Sequence, residues 1–259
     1  MKITILQQDI VWANPAANCL AADRAIDGHP GSDIYVLPEM FSTGFATKPE
    51  GIAEADGRSL RWMKGKAAAT GAAICGSVAT REDGRYYNRF YFVEPDGTVT
   101  AYDKRHLFTF GGEDKTFTRG TARPIISYRG VRILPEVCYD LRFPVWSRNA
   151  AYDSKDNYHL IIYVASWPVA RQQAWDTLLR ARAIENQCFV AGVNRVGHDP
   201  GNDYVGGSLV IDPWGGTLAG CVRGEVSAAT AELDMEGLEK FRKGFPVLDD
   251  GDATPVFCG

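Results

Sequence analysis

Three residues with reactive side chains each follow an apolar, strand-like run. They are Glu39 in IYVLPEMFSTGF, Lys104 in VTAYDKRHLF and Cys138 in RILPEVCYDLRFP. A cysteine inside an element acts as a small hydrophobic residue, whereas one at the end of an element can have its pKa set by polar neighbours. Together the three types supply a base, a cation and a nucleophile for hydrolysing an amide without a metal ion. The competing interpretation is a structural cysteine and an ordinary surface salt bridge between Glu39 and Lys104.

The elements that would position these residues alternate between strands and helices. The runs KITILQQDI, DIYVLPE, AAICGSVAT and HLIIYVAS predict strands, and Pro95-Asp96-Gly97 predicts a turn between two more. Helices are predicted over NPAANCLAADRAIDGH, with Asn14 as N-cap, and around 57–70. A third helix is predicted over ARQQAWDTLLRARAIENQ, with Ala174, Leu178, Ala181 and Ile184 on one stripe. This alternation predicts a layered α/β fold.

The composition is that of an ordinary globular chain. The 259 residues are 45% hydrophobic and carry a net charge of -4, without a block of like charge. This balance argues against a nucleic-acid partner or a polybasic membrane patch. No linker or repeat divides the chain, so we expect one domain over 1–245 followed by an irregular tail over 246–259.

Several chemistries lack their motifs. The sequence has no GxSxG, GxxxxGK[ST] or GxGxxG pattern, and its four histidines form no HExxH motif. No CxxC pair occurs either. Because all these motifs are absent, no metal or other cofactor is expected. The cysteines are scattered along the chain and are interpreted as reduced. His106 is the one histidine in a predicted loop, 104–123, where a hydrogen-bonded loop role is favoured over a Cys–His pair. The chain begins directly as a strand, without a signal-peptide pattern, and a cytoplasmic location is expected.

These segments carry a family resemblance. LPEMFSTGF, YDKRHLF, CYDLRFPVWSRN and RARAIENQ resemble the Glu-Lys-Cys boxes of the nitrilase (carbon–nitrogen hydrolase) superfamily, and the resemblance runs from residue 1 to about 245. Within this superfamily, the sequences of these segments are most similar to the omega-amidase branch. The resemblance implies a four-layer αββα sandwich and a homodimer that packs helices of two subunits together. It also implies hydrolysis of the terminal amide of small 2-oxo acid amides, such as 2-oxoglutaramate and 2-oxosuccinamate, through a thioester.

The resemblance also implies roles for individual residues. Cys138 would be the nucleophile and Glu39 the general base, which takes the thiol proton and later activates water. Lys104 and the backbone N–H of Tyr139 would stabilise the negative oxygen that develops during attack. Glu113, in FGGEDKTF, matches a second glutamate of the family and would orient Lys104 or the substrate amide.

Substrate binding is expected from Tyr139, Arg142 and Trp167. Arg142 would contact a free carboxylate of the substrate, because it lies in the turn after the nucleophile. The alternative is that Arg142 pairs with Asp140 or Glu136 and braces the loop; Arg171 is then the next candidate for the carboxylate.

Two points stay open at this stage. Glu136, two residues before Cys138 on the same strand face, departs from the apolar or neutral residue that such a position favours, and pairing with a nearby arginine is one explanation. Other functions compete with the omega-amidase prediction. They are a carbamoyl-amino-acid or deaminated-glutathione amidohydrolase of the same fold, and a non-enzymatic binding protein, which would require none of the three reactive residues.

Overall fold

The computed structural model describes residues 1–251, so part of the predicted tail over 246–259 lies outside the described residues. Fourteen strands are present among these residues. In chain order they are β1 (Lys2–Gln7), β2 (Ile34–Val36), β3 (Ala73–Glu82), β4 (Arg85–Val93), β5 (Val99–Asp103), β6 (Ile126–Tyr128), β7 (Val131–Val137), β8 (Leu160–Ala165), β9 (Phe189–Asn194), β10 (Val196–His198), β11 (Asp203–Val205), β12 (Leu209–Ile211), β13 (Thr217–Gly220) and β14 (Ser227–Glu232). The helices are α1 (Pro15–Asp27), α2 (Arg58–Thr70), α3 (Pro144–Ser147), α4 (Gln172–Glu185) and α5 (Met235–Gly244).

The strands form two six-stranded sheets that pack against each other. Their orders are β14-β1-β2-β3-β4-β5 and β13-β12-β9-β8-β7-β6, and β10 and β11 form a separate hairpin. One apolar cluster joins the sheets, since it contains side chains of both, such as Ile5, Phe92, Ile133 and Val193. The centre of the fold is therefore a sandwich of two sheets.

Helices cover both outer faces of the sandwich. Ile26 of α1 and Met63 of α2 pack with Ile74 of the first sheet, and Trp175 and Leu179 of α4 pack with the second sheet. The layers are thus helix, sheet, sheet and helix, which confirms the predicted αββα architecture. No helix among residues 1–251 is long and apolar enough to cross a membrane.

The strand directions explain why one edge can collect the functional side chains. In the first sheet β2 and β3 are parallel, and two antiparallel pairings then return β5 to the direction of β3. In the second sheet β7, β8 and β9 are parallel. Because the carboxyl ends of parallel strands lie at the same edge, the residues after β2 and β5 share one edge, and those after β7, β8 and β9 share another.

The buried face of α4 differs from the predicted stripe. Trp175, Leu179 and Ala183 are buried, whereas Ile184 is 53% exposed. The stripe of Ala174, Leu178, Ala181 and Ile184 is not the face that packs on the sheet, because α4 carries apolar residues on two adjacent faces and the tryptophan face is the buried one. The second face is only partly covered.

Several elements match their sequence signals and a few had none. Asn14 caps α1 by accepting a hydrogen bond from the Ala17 N–H at 3.1 Å, and the predicted turn joins β4 to β5. The short strands β6 and β13 and the helix α5 were not predicted. The boundary of the domain at 245 stays a prediction; within 246–251 Leu248 is buried, although no helix or strand is present.

Candidate active site

A buried lysine lies between two buried carboxylates. Lys104, directly after β5, places its Nζ 3.0 Å from Oε1 of Glu39, which follows β2. The same Nζ lies 2.9 Å from Oε2 of Glu113, in a short 3-10 turn of the loop after β5. All three side chains are fully buried. The structure thus brings together three of the four residues predicted to be catalytic.

Asn88 on β4 links the two carboxylates from the other side. Its Nδ2 donates to Oε1 of Glu39 at 2.7 Å and to Oε1 of Glu113 at 3.0 Å. Its Oδ1 accepts from the hydroxyl of Ser77 at 2.8 Å, and Ser77 Oγ accepts in turn from the Met40 N–H. Because Ser77 has one hydrogen to donate, this chain fixes the orientation of the Asn88 amide.

Backbone groups complete the carboxylate contacts. The N–H of Ser166, after β8, donates to Oε2 of Glu39 at 2.8 Å, and the N–H of Phe108 donates to Oε2 of Glu113 at 2.7 Å. Asn194, at the end of β9, accepts from the Trp167 N–H at 2.7 Å and donates to the Trp167 carbonyl at 2.9 Å. Both sheets therefore contribute to one network.

The strained backbone of Cys138 marks the junction between β7 and the turn that follows. Cys138 begins a 3-10 turn that ends at Arg142, and its φ of 46° lies in the left-handed region. Such a conformation costs a non-glycine residue about 1–3 kcal/mol and persists only where the surroundings hold it. The thiol is partly buried.

Asp140 is the residue that holds this turn. Its carboxylate accepts from the Val137 N–H at 3.0 Å and from the Tyr102 hydroxyl at 2.8 Å. It also accepts from the His106 N–H at 2.9 Å, and His106 Nδ1 lies 2.8 Å away. His106 is therefore a hydrogen-bonded loop residue, which agrees with the favoured interpretation of the sequence.

The electrostatics of the cluster keep the thiol protonated. Burial raises the pKa of Cys138 well above its usual value, and the charge of Glu39 raises it further; Lys104 and the Ser166 N–H oppose this. Burial would lower the pKa of Lys104, but Glu113 and Glu39 outweigh it and hold that pKa above its usual range. Burial raises the pKa of Glu113, and Lys104 limits that rise.

A pocket opens beside Cys138. It is lined by Phe45, Phe108, Cys138, Tyr139, Arg142, Ser166, Trp167, Pro168, Arg171, Asn202 and Tyr204. The guanidinium of Arg142 lies over the Trp167 ring, 5.0 Å from its centroid, and that of Arg171 lies 5.2 Å from the centroid of Phe108. All three predicted substrate-binding residues, Tyr139, Arg142 and Trp167, line this pocket.

The two arginines are not engaged by carboxylates within residues 1–251. Neither Arg142 nor Arg171 forms a salt bridge there. The alternative in which Arg142 pairs with Asp140 or Glu136 is therefore wrong for this structure. Glu136 forms no salt bridge with an arginine in the same residue range either; its Oε2 accepts from the Ser147 hydroxyl at 2.8 Å. In the described part of the chain no group of three or more His, Cys, Asp or Glu side chains could hold a metal ion.

Sequence analysis missed several of these residues. Asn88, Ser166 and Asn194 are buried polar residues within or directly after apolar strands. That placement was their only signal, because a buried polar side chain must find a partner. Asp140 had been considered only as a possible partner of Arg142.

The fold and the site agree with one family of enzymes. The family model described as carbon-nitrogen hydrolase matches residues 2–243, and the chain therefore belongs to the carbon–nitrogen hydrolase family. This result confirms the resemblance noted in the sequence.

The chain is similar to particular members of that family. It is 47% identical over 253 residues to omega-amidase YafV of Escherichia coli strain K12, covering 97% of each chain. It is 38% identical over 257 residues to a 2-oxoglutaramate amidase of Bacillus subtilis, covering 96% of this chain and 98% of the relative. Among solved structures, XC1258 of Xanthomonas campestris, described as a CN-hydrolase superfamily protein with an arsenic adduct in its active site, matches with a TM-score of 0.94. That chain is 41% identical, and the match covers 99% of this chain and 98% of the other.

Proposed function

We propose that this carbon–nitrogen hydrolase is an amidase that hydrolyses the terminal amide of small 2-oxo acid amides, such as 2-oxoglutaramate and 2-oxosuccinamate, to the acid and ammonia. The observation that carries the proposal is the buried Glu39–Lys104–Glu113 cluster beside Cys138, at a pocket with two arginines that form no salt bridge within residues 1–251. The names of the relatives, omega-amidase and 2-oxoglutaramate amidase, support the substrate class.

The first half-reaction forms a thioester. Glu39 takes the proton of the Cys138 thiol as Sγ bonds to the amide carbon. The carbonyl oxygen becomes negative and is stabilised by the Lys104 ammonium and the Tyr139 N–H, a first-turn N–H of the kind that has no acceptor within its own turn. Glu39 then gives its proton to the nitrogen as the C–N bond breaks, and ammonia leaves.

The second half-reaction returns the enzyme to its starting state. Glu39 takes a proton from water as the water oxygen bonds to the thioester carbon, and the same donors stabilise the new oxyanion. The C–S bond breaks, the sulfur regains its proton from Glu39, and the acid is released. Glu113 holds Lys104 in place through the 2.9 Å contact, which keeps the ammonium oriented in both steps.

The pocket chemistry suits a carboxylate at the far end of the substrate. Arg142 and Arg171 present guanidinium groups on aromatic faces, and a guanidinium forms bidentate hydrogen bonds with a carboxylate. The small 2-oxo acid amides carry an amide at one end and a carboxylate at the other. A substrate whose amide is held near Cys138 therefore places its carboxylate toward the two arginines.

A pure binding role is disfavoured by the cost of the buried cluster. Burying ionised groups costs several kcal/mol each, which their mutual contacts repay only in part. Binding of a small anion would require the arginines but neither Glu39 nor Lys104. The carbamoyl-amino-acid and deaminated-glutathione alternatives use the same chemistry and are separated from the proposal by substrate alone.

A screen of ammonia release tests the proposal. Purified protein is assayed against 2-oxoglutaramate, 2-oxosuccinamate, a carbamoyl amino acid, deaminated glutathione and a simple nitrile. We expect the highest kcat/KM on a 2-oxo acid amide, a single acyl adduct by intact mass with a slow substrate, and loss of both in Cys138→Ala. Turnover that survives in Cys138→Ala would refute the mechanism, and a clear preference for a carbamoyl substrate would refute the substrate class.

We also propose a homodimer formed through α4. The partly covered face of this helix ends at Ile184, which lies against Gly215. Next to Gly215, Trp214 is 67% exposed, and its ring is tilted against that of Phe241 with the centroids 3.9 Å apart. Contiguous exposed apolar residues of this kind are typical of an interface.

Light scattering tests the dimer. We expect a mass twice that of the 28.4 kDa chain for the wild type, and a shift toward monomer in Ile184→Glu. The exposed residue Val11, on the loop before α1, provides the control Val11→Glu, which should leave the mass unchanged. A monomeric wild type at micromolar concentration would refute the dimer.

A further inference from the structure

Asp140 is a buried carboxylate outside the reacting groups of the proposed mechanism. It lies in the turn after β7, two residues beyond Cys138, and its side chain is fully buried. Among residues 1–251 no lysine or arginine forms a salt bridge with it, and His106 Nδ1 lies 2.8 Å from its Oδ1. A buried carboxylate without a lysine or arginine must be stabilised by hydrogen bonds, so its donors show which parts of the chain it holds together.

Each oxygen of Asp140 accepts from a backbone N–H at a different strand end. Oδ2 accepts from the N–H of Val137, the last residue of β7, at 3.0 Å. Oδ1 accepts from the N–H of His106, in the loop after β5, at 2.9 Å. Strand β5 belongs to the first sheet and β7 to the second. One side chain therefore bridges the two sheets at the site.

The chain on both sides of Lys104 is tied to this carboxylate. His106, two residues after Lys104, donates its backbone N–H directly. The hydroxyl of Tyr102, two residues before Lys104, donates to Asp140 Oδ2 at 2.8 Å and accepts from the Arg105 N–H at 3.1 Å. On the other side of the bridge, the bound N–H belongs to the residue that immediately precedes the nucleophile.

The bridge fixes the relative position of the groups that act on the substrate carbonyl. In the proposed mechanism Cys138 attacks the carbonyl carbon, while Lys104 and the Tyr139 N–H stabilise the carbonyl oxygen. Tyr139 lies between Cys138 and Asp140 in the turn. Such stabilisation requires donors held about 2.7–3.1 Å from the developing oxyanion. A small shift of one strand end against the other would therefore misplace Lys104 for the oxygen.

We propose that Asp140 is a positioning residue for amide hydrolysis: by binding one backbone N–H from each sheet, it sets Lys104 against Cys138 so that the oxyanion donors face the carbonyl that the thiol attacks. This inference rests on the proposed amidase function and deepens it. Holding the turn would by itself support the thiol, whereas the bridge to the loop after β5 serves the oxyanion donor.

Asp140→Asn tests the bridge with almost no change of shape. An asparagine side chain has one acceptor oxygen and one NH2 group, and both of these positions face a backbone N–H. Whichever way the amide is turned, its NH2 group opposes the N–H of either Val137 or His106. One side of the bridge must then open.

Two further variants complete the set. Asp103→Asn is the matched control, because Asp103 directly precedes Lys104 but its carboxylate accepts from Arg89 instead. Tyr102→Phe removes one donor to Asp140 and opens the bridge more mildly, which keeps the test decisive if Asp140→Asn does not fold. Circular dichroism and thermal unfolding check that each protein stays folded.

Two reagents that react with the Cys138 thiol separate oxyanion stabilisation from thiol reactivity. p-Nitrophenyl acetate acylates the sulfur through a tetrahedral oxyanion and releases p-nitrophenolate. Iodoacetamide alkylates the same sulfur by displacing iodide, and no oxyanion forms. Both rates are measured on each variant, with Cys138→Ala giving the background, and kcat and KM for 2-oxoglutaramate are measured in parallel.

In Asp140→Asn we expect acylation and kcat to fall about tenfold to a hundredfold, the loss expected for a hydrogen bond to a charged group. KM and the alkylation rate should stay within about threefold of the wild type, because neither depends on the oxyanion donors. Tyr102→Phe should lower acylation by about threefold to tenfold, as one lost donor would, and Asp103→Asn should leave both rates unchanged.

Three results would overturn the proposal. The first is an alkylation rate that falls as far as the acylation rate, since Asp140 would then support the thiol rather than its alignment with Lys104. The second is acylation that stays at the wild-type rate in folded Asp140→Asn or, if that variant does not fold, in Tyr102→Phe. The third is an equal loss of acylation in Asp103→Asn.

The same reagents distinguish failure of this inference from failure of the proposed function. A wild type that is acylated at Cys138 but releases ammonia from no amide in the screen would refute the substrate class. The ratio of acylation to alkylation in Asp140→Asn would still decide the role of Asp140. A wild type that is not acylated at Cys138 would refute the nucleophile and this inference with it.

Discussion

Asn88→Ala is the change that most directly tests how the buried cluster works. Asn88 is fully buried on β4 and donates to both Glu39 and Glu113. It does not line the pocket, so the substrate does not need it for binding. The substitution removes two hydrogen bonds to carboxyl groups and leaves Lys104 as the one remaining partner of Glu39 Oε1 among residues 1–251.

The size of the effect follows from the contact with Glu39. A hydrogen bond to a charged group contributes about 1.5–3 kcal/mol, and about 1.4 kcal/mol corresponds to a factor of ten. We therefore expect kcat to fall about tenfold to a hundredfold, with KM changed by less than about threefold. Asn88→Asp should be worse than Asn88→Ala at pH 8, because a third carboxylate would face two others, and it should recover in part at pH 6.

Steady-state ammonia release and thermal unfolding are measured on the same samples. The control is Asn157→Ala, which removes another fully buried asparagine whose side chain bonds to Ala150, Arg132 and Arg242 instead. This control should lower the melting temperature without changing kcat. If Asn88→Ala lowers the melting temperature in the same way and keeps kcat within about twofold, Asn88 is a packing residue and the reasoning fails.

Three further changes test other parts of the structure. Arg142→Ala should lower kcat/KM for 2-oxoglutaramate about tenfold, which is near the lower end of the range for a charge-assisted contact because Arg142 is exposed. The same change should have little effect on an amide without a carboxylate. Equal losses on both substrates would assign the carboxylate contact to Arg171 instead. Gly120→Ala places a Cβ 2.0 Å from a backbone carbonyl oxygen of β5, so it should cost about 1–3 kcal/mol of stability and lower kcat. The control is Gly65→Ala, because Gly65 has open space around it; this change should neither destabilise the protein nor lower kcat. Because the pKa of Glu136 is about 8 in the folded protein and ordinary in the unfolded chain, its contribution to stability is present at low pH and is lost as pH rises toward 8. The free energy of unfolding of Glu136→Gln, from urea denaturation, should gain on the wild type by about 1.4 kcal/mol per pH unit between pH 5 and pH 8; a constant difference would contradict the shifted pKa.

The sequence was informative where a local pattern carries the structure. An apolar run that ends in an ionisable residue is visible in a single segment, and Glu39, Lys104 and Cys138 each follow such a run. The αββα fold came from the family resemblance together with the alternation of elements, and the structure and its similarity to solved structures confirm it. The tertiary contacts between these segments cannot be read from the sequence. Lys104 reaches Glu39 only because β5 returns to the direction of β3.

The errors also have physical causes. The stripe predicted for α4 followed one run of apolar residues at helical spacing, but Trp175 and Leu179 on the adjacent face fit against Gly192 of β9. A glycine on the sheet leaves room for the larger side chains, and no single-helix pattern reveals that room. The pairing of Glu136 was missed in a similar way, because Ser147 approaches it only after the chain has turned back over β7.

The net charge of the buried cluster determines how the nucleophile is activated. Glu39 acts as the base only as a carboxylate, and a resting thiolate at Cys138 would place a second negative charge beside it in a buried site. The raised pKa of Cys138 reflects this cost. Proton transfer from Cys138 to Glu39 leaves the net charge unchanged, so the thiolate forms only as the proton leaves and the amide carbon accepts the sulfur. The negative charge then moves to the carbonyl oxygen beside Lys104, where the cation that stabilised the resting carboxylates stabilises the oxyanion instead.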